Sequence, residues 1–136
     1  MSTAFMFALL ALFGWGFWAF FAELATRYMR PELAMVISYF SGAAMISVYL
    51  LTRKTELTFS AKGVGYAVLG GLVSGVGAVA FYIGLSQGST SVVTTVSALY
   101  FTIAAVLGIV FLGDSVNMVN VIGIIFAVLA VVLLAQ

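Results

Sequence analysis

Ionisable side chains are scarce in this sequence, and those best placed to do chemistry lie close together. The first 22 residues carry no charge, and Glu23, Arg27, Arg30 and Glu32 then follow within ten positions. Glu23 stands four residues before Arg27, an order in which an acid and a base pair favourably on one helix. An acid held within a membrane is by default functional. Two roles are therefore open for Glu23: a coupling or cation-binding carboxylate, or an interfacial carboxylate paired with Arg27.

Most other chemistry is excluded by composition. The sequence has no histidine and no cysteine, which excludes imidazole and thiolate catalysis, disulfides and the usual zinc sites. No apolar stretch holds a carboxylate pair at helical spacing, and no loop could cradle a phosphate, so the groups that an enzyme needs are lacking. The charged ring or filter-like loop of an ion channel is lacking too. We predict no enzyme activity, no cofactor and no metal site.

The same composition defines the broad class. Of the 136 residues, 65% are hydrophobic and 7% are charged, whereas a soluble domain is about 45–50% apolar and about 25% charged. The net charge of +1 and the absence of a basic cluster argue against a nucleic-acid partner. We predict an all-α integral membrane protein that lies in the lipid bilayer as a multi-pass protein of a cell membrane, such as a prokaryotic inner membrane.

Charge-free windows predict five membrane-spanning helices. About 20 apolar residues cross the roughly 30 Å of hydrocarbon, and the polar cluster Gln87–Ser91 divides the long window Gly63–Gly113 into two spans. Glu23 follows 22 helical residues, which reach about 33 Å, so its depth favours the interfacial role unless the helix tilts. The predicted spans lie at about residues 3–24, 32–52, 63–86, 92–112 and 119–135 of a single domain, 1–136.

The connecting segments hardly distinguish the two sides of the membrane. With five spans, Arg53, Lys54 and Lys62 lie on the side of the N-terminus, and Arg27 and Arg30 lie on the other side. Positive residues select the cytoplasmic side. Taken at face value, three against two places the N-terminus inside and the C-terminus outside; taken as a near tie, it predicts that the chain can insert in both orientations. Two copies inserted oppositely would form an inverted pair like the two halves of many transporters.

Small polar and aromatic residues within the spans are the candidates for a substrate cavity. Glycine and serine stripes usually serve helix packing in lipid, and hydroxyls often bond to their own backbone. Trp15 and Trp18 lie near the middle of the first span, where an indole N–H needs a partner. Tyr100 lies deeper in its span than Tyr82 does. The candidate set is Trp15, Trp18, Ser41, Ser74, Tyr82, Thr94, Ser97 and Tyr100.

Two stretches carry a resemblance to a known family. They are FGWG, residues 13–16, and the block FYIGLSQGSTSVVTTVSALYFTIAAVLGIVFLGDSVNMVNVIGIIFAVLAVVLL, residues 81–134. The block resembles the EamA-like family of the drug/metabolite transporter superfamily in its small-residue turn, its Leu112-Gly113-Asp114 turn and its last helix with Gly123. Three positions depart from the family pattern. Phe101 stands where the family often has a proline that would kink the helix, a basic residue early in the second helix is absent, and the turn acid is Asp114, which we expect to cap the last helix.

The resemblance implies one half of a ten-helix transporter that is built from two inverted five-helix halves around a central cavity. It implies a membrane transporter subunit that moves a small metabolite or drug by alternating access, as an antiparallel homodimer or as a heterodimer with a sibling half. Because the spans hold no firm charge for an anion, the predicted substrate is neutral, zwitterionic or weakly cationic.

Two alternatives stay open. One is a small multidrug-resistance-type, proton-coupled exporter. That type has four helices and a carboxylate deep in the first, so the fifth span and the late Glu23 count against it. The other is a non-transporting membrane subunit that scaffolds a partner complex.

Overall fold

The computed structural model describes residues 3–53, 58–115 and 117–134, and these residues form helices and turns without a strand. Lys54, which the charge count of the connecting segments uses, and the predicted end of the last span at residue 135 lie outside the described residues. The helices are α1 (Thr3–Thr26), α2 (Pro31–Thr52), α3 (Ala61–Gln87), α4 (Thr90–Ser97), α5 (Tyr100–Leu107) and α6 (Met118–Leu134). A short π-helical segment, Gly108–Leu112, continues α5.

The predicted helical membrane architecture is confirmed. In the described part of the chain, four helical stretches are long and apolar enough to cross a membrane, and α6 is a shorter apolar helix. The fourth of these stretches, Thr90–Leu112, consists of α4, α5 and the π-helical segment. Pro31 begins α2 at a first-turn position, where its missing N–H is not needed for a helical hydrogen bond.

The chain divides into two compact units, and the first ends at Gln87. In this first unit α1, α2 and α3 pack against one another. Its buried positions are Ala22, Ala34, Ala78, Tyr82 and Leu85. Large apolar side chains such as Leu51, which is 83% exposed, point outward instead. This inverted pattern suits a molecule whose outer surface meets lipid, where apolar exposure carries no hydrophobic cost.

The second unit begins at Gly88 and contains α4, α5 and α6. Its first span is broken at Ala98 and Leu99, although no proline is present. The N–H of Leu99 donates to the carbonyl of Val96 at 3.1 Å, and the N–H of Thr102 donates to that of Leu99 at 2.9 Å. Both bonds reach back three residues instead of four, so a short 3₁₀-like turn replaces α-helix at this point.

The turn between the π-helical segment and α6 depends on a glycine and an asparagine. Gly113 ends the segment with φ 72°, a left-handed conformation that glycine adopts without a steric penalty. The N–H of Asp114 then donates to the carbonyl of Gly108 at 3.2 Å. Asn117 caps α6, because its Oδ1 accepts the N–H of Asn120 at 2.8 Å. Asn117 thus occupies the capping position at α6 that was expected for Asp114, and the Asp114 carboxylate lies against Gly108.

Candidate functional site

Trp18 connects α1 to α2 through its indole nitrogen. Its Nε1 donates a hydrogen bond of 3.0 Å to the Oγ of Ser38. The indole N–H, which the sequence analysis expects to need a partner, therefore has one on the neighbouring helix. In a membrane interior such a bond removes the cost of an unpaired donor.

Three aromatic rings surround Trp18 and extend the contact to α3. The ring of Phe81 stacks on the indole with centroids 5.3 Å apart and planes 16° apart. Tyr39 and Tyr82 approach edge-on, at centroid distances of 6.5 Å and 6.1 Å. Offset stacks and edge-to-face contacts at these distances are favourable, so the cluster joins all three helices of the first unit.

A cavity of about 170 Å³ lies beside this cluster. Alanines from α1 and α2 leave the space between the larger side chains, and its lining in the described part of the chain holds no charged residue. All of its lining residues belong to the first unit. The larger ones are Trp18 and Phe21 from α1, Met29 from the turn after α1, Ile37 and Ser38 from α2, and Tyr82 from α3.

Two hydroxyl groups in this lining have unused hydrogen-bonding capacity. Tyr82 is 1% exposed, and its hydroxyl has no partner among the described residues. The other two serines of α2, Ser41 and Ser47, each donate to the carbonyl four residues earlier. For Ser38, by contrast, the structure gives only the bond that it accepts from Trp18. The cavity thus adjoins a phenol and a serine hydroxyl, each with a hydrogen that no described acceptor takes.

Glu23 pairs with Arg27 as its spacing predicts. Oε1 of Glu23 accepts from Nε of Arg27 at 3.2 Å and lies 3.2 Å from its Nη2. The Glu23 side chain is only 13% exposed while that of Arg27 is 66% exposed. Oε2 of Glu23 is buried without a partner among the described residues. The ion pair of the interfacial interpretation is present, but half of the carboxylate is left unsatisfied, and the role of Glu23 stays a prediction.

Two of the predicted cavity residues bond to their own helices. Ser41 donates to the carbonyl of Ile37 at 2.8 Å, and Thr94 donates to that of Thr90. A membrane-helix hydroxyl satisfied in this way needs no substrate. Their role as substrate contacts is not tested by this geometry.

The remaining predicted residues are not among those that line the Trp18 cavity. Trp15 is 54% exposed, and Ser74 lies on an exposed face of α3. Ser97 ends α4 and is half-buried, and the Tyr100 ring lies against that of Phe101 with centroids 4.0 Å apart. Of the eight candidates, Trp18 and Tyr82 are therefore the pair that the structure brings together at one cavity.

A second, larger hollow of about 370 Å³ lies in the second unit. Its lining consists of Ala105, Ile109, Ile124, Ser115 and Asp114. Among these five residues, Asp114 is the one with an ionisable side chain, and it is exposed. Nowhere in the described residues do three His, Cys, Asp or Glu side chains gather as metal ligands would.

Comparison with known proteins identifies the family. The model of the EamA-like transporter family matches residues 2–136. The chain belongs to the EamA-like transporter family. It is similar to a protein of Methanocaldococcus jannaschii, the uncharacterized protein MJ1333.1, with 25% identity over 135 residues, which cover 99% of this chain and 98% of that protein. No solved structure matches the chain.

Membership of the EamA-like family, together with the apolar helices, makes this a multi-pass membrane protein of a transporter family. The family resemblance carried by residues 81–134 is confirmed, and the match extends over both units.

Sequence reasoning missed Ser38 as a site residue. Ser38 is one of several serines in α2, and its own neighbours do not distinguish it from Ser41. The available signal was the unpaired indole of Trp18, which required a partner on another helix. Choosing among the serines needed the rotation of α2 relative to α1, which only the folded unit supplies.

Proposed function

We propose that the chain is one half of an inverted-repeat transporter that works as an antiparallel homodimer in a prokaryotic cell membrane. It moves a small neutral, zwitterionic or weakly cationic molecule by alternating access, as the two copies rock against each other around a midplane site. The observation that carries this proposal is a family match over residues 2–136, the length of five helices. In the same sequence the connecting segments on the two sides of the membrane differ by a single positive charge. A heterodimer with a sibling half is the second arrangement that fits the same match.

The relative from Methanocaldococcus jannaschii supports a transporter made of separate halves. Because the alignment covers 98% of that protein and 99% of this chain, the two have about the same length.

An open face of α3 supports association with a second copy. Gly71 and Gly75 form a small-residue pair next to Ser74, and a Cβ added at either glycine would meet nothing within 4 Å. Small residues in membrane helices allow another helix to approach closely. We assign this face, including Ser74, to the boundary between the two copies, where a substrate passage would lie.

Reconstitution tests this function against a scaffolding role. The tagged chain is purified in mild detergent, its co-purifying proteins are identified, and it is placed alone in vesicles that are loaded with a labelled neutral aromatic amide, labelled phenylalanine or the cationic dye ethidium. A transporter gives uptake or exchange above that of empty vesicles for at least one probe, and Tyr100→Ala lowers it without loss of expression. Absence of transport for all three probe classes, together with a second protein in stoichiometric amount, favours the scaffold.

A further inference from the structure

We propose that the cavity beside Trp18 binds one small neutral aromatic molecule per chain, with a single hydrogen-bonding group, of which phenol is the simplest example. The inference deepens the proposed function by naming its substrate class. Only the ligand's role as the transported substrate rests on that function, because the binding site itself is formed by residues of the first unit.

The volume of the cavity and its lining side chains favour a ligand with one aromatic ring. The cavity is a partly open space of about 170 Å³, large enough for one ring, since an enclosed apolar cavity of roughly 150 Å³ accommodates benzene. Trp18 and Phe21 supply aromatic walls, and Met29 supplies a deformable one. Thioether sulfur makes favourable contacts with aromatic rings, so a flat apolar ring fits this lining better than a chain of polar groups.

The hydroxyls of Tyr82 and Ser38 favour a ligand that carries one hydrogen-bonding group on that ring. Tyr82 is almost completely buried, and its hydroxyl lacks a partner among the described residues, a state that costs free energy until an acceptor or donor arrives. The hydroxyl is shut off from bulk solvent, so surface water does not satisfy it. Because Tyr82 lines the cavity, its hydroxyl is the expected partner of a ligand oxygen there, and Ser38, already bonded to Trp18, is a second partner.

The absence of charge in the lining selects a neutral ligand. Among the residues that the structure describes, no Asp, Glu, Lys or Arg lines the cavity. An ion moved from water into such a space loses its hydration without gaining a counter-charge. A carboxylate or ammonium on the ring is therefore expected to abolish binding.

The lining residues all lie between positions 18 and 82 of one chain. The site is therefore complete in a single copy, and a dimer holds two equivalent sites. This distinguishes it from a single site formed jointly by the two copies, for which the stoichiometry would be one ligand per two chains.

Titration with phenol, benzene and benzoate tests the inference. The protein carries Trp15→Phe, so that Trp18 is its sole tryptophan and its fluorescence, excited beyond the absorption of phenol, reports the cavity. We expect saturable binding of phenol, with one molecule per chain, about tenfold weaker binding of benzene, equivalent to about 1.4 kcal/mol, and no binding of benzoate. Equilibrium dialysis gives the stoichiometry.

Variants distinguish binding of the ligand in the cavity from its partitioning into the detergent. Tyr82→Phe should bring phenol to the affinity of benzene, while Tyr66→Phe, at a tyrosine that is 75% exposed, serves as the matched control and leaves it unchanged. Ala25→Phe fills the cavity and should remove both ligands. Non-saturable fluorescence changes in all variants, or equal phenol affinity with and without the Tyr82 hydroxyl, would overturn the inference. Phenol binding at one per chain in a protein of single orientation would keep the inference and reject the homodimer.

Discussion

At the scale of residues, the first unit holds its polar groups in unequal states. The Trp18 N–H is bonded to Ser38 at 3.0 Å, whereas the Tyr82 hydroxyl and Oε2 of Glu23 are buried without described partners. A bonded group stabilises the fold, and an unbonded one is a cost that binding of a ligand or a proton can remove. Removing the bonded group should therefore lower stability, whereas removing an unbonded one should affect mainly the binding of a ligand or a proton.

Ser38→Ala should destabilise the unit more than Tyr82→Phe does. The first change leaves the Trp18 N–H unbonded, at a cost of about 1–3 kcal/mol, while the second removes a hydroxyl that has no described partner. Thermal unfolding in detergent, without ligand, measures both. A larger loss for Tyr82→Phe than for Ser38→Ala would mean that the tyrosine hydroxyl is already satisfied in the folded protein.

Glu23→Gln and Arg27→Gln distinguish the two roles of Glu23. If Glu23 couples a proton to transport, Glu23→Gln abolishes gradient-driven uptake but preserves exchange, whereas Arg27→Gln leaves driven uptake in place. If the pair is only an interfacial ion pair, both variants take up substrate like the parent. Uptake into vesicles with and without an imposed pH gradient gives the answer, and normal driven uptake by Glu23→Gln contradicts coupling.

At the scale of elements, the broken helix of the second unit is the main departure from regular geometry. The α4–α5 break uses hydrogen bonds that reach back three residues, as in the bond of 3.3 Å from the N–H of Phe101 to the carbonyl of Ala98. Such a stretch within a helix often marks a hinge. The family often has a proline at the place of position 101, and here the α-helix is interrupted beside that position without one.

Proline at position 101 should therefore be tolerated. It removes one long N–H bond in a stretch that is already irregular, whereas proline inside α5 at position 106 costs about 3 kcal/mol or more. Phe101→Ala and Val106→Ala are the matched controls, since each removes the side chain alone. We expect the loss of thermal stability of Phe101→Pro relative to Phe101→Ala to be clearly smaller than that of Val106→Pro relative to Val106→Ala. Equal losses would show that position 101 behaves as regular helix.

The elements themselves were predictable from the sequence, and their contacts were not. Charge-free length placed the described spans to within a few residues, because lipid demands about 20 apolar residues for each crossing. The break at Ala98 escaped prediction, since alanine and leucine are good helix formers and no proline marks the position. The Trp18–Ser38 bond also escaped, because it depends on the rotation of two helices about their own axes.

At the scale of the whole molecule, the central claim is that one sequence supplies both halves of an inverted pair. The near tie of three against two basic residues in the connecting segments is the physical reason, because the insertion machinery reads this difference when it chooses an orientation. On the proposed account, a chain with so small a difference is expected to populate both orientations. The proposed homodimer uses one copy in each orientation.

The most direct test is a pair of reporters fused after Gln136, one active only in the cytoplasm and one only outside. The antiparallel homodimer predicts that both fusions are active in cells, and that Arg53→Ala shifts the balance towards a cytoplasmic C-terminus, because it removes a positive charge from the side of the N-terminus. Activity of the external reporter alone would mean a fixed orientation with the N-terminus inside. That result would contradict the homodimer and would require the inverted half to come from another protein.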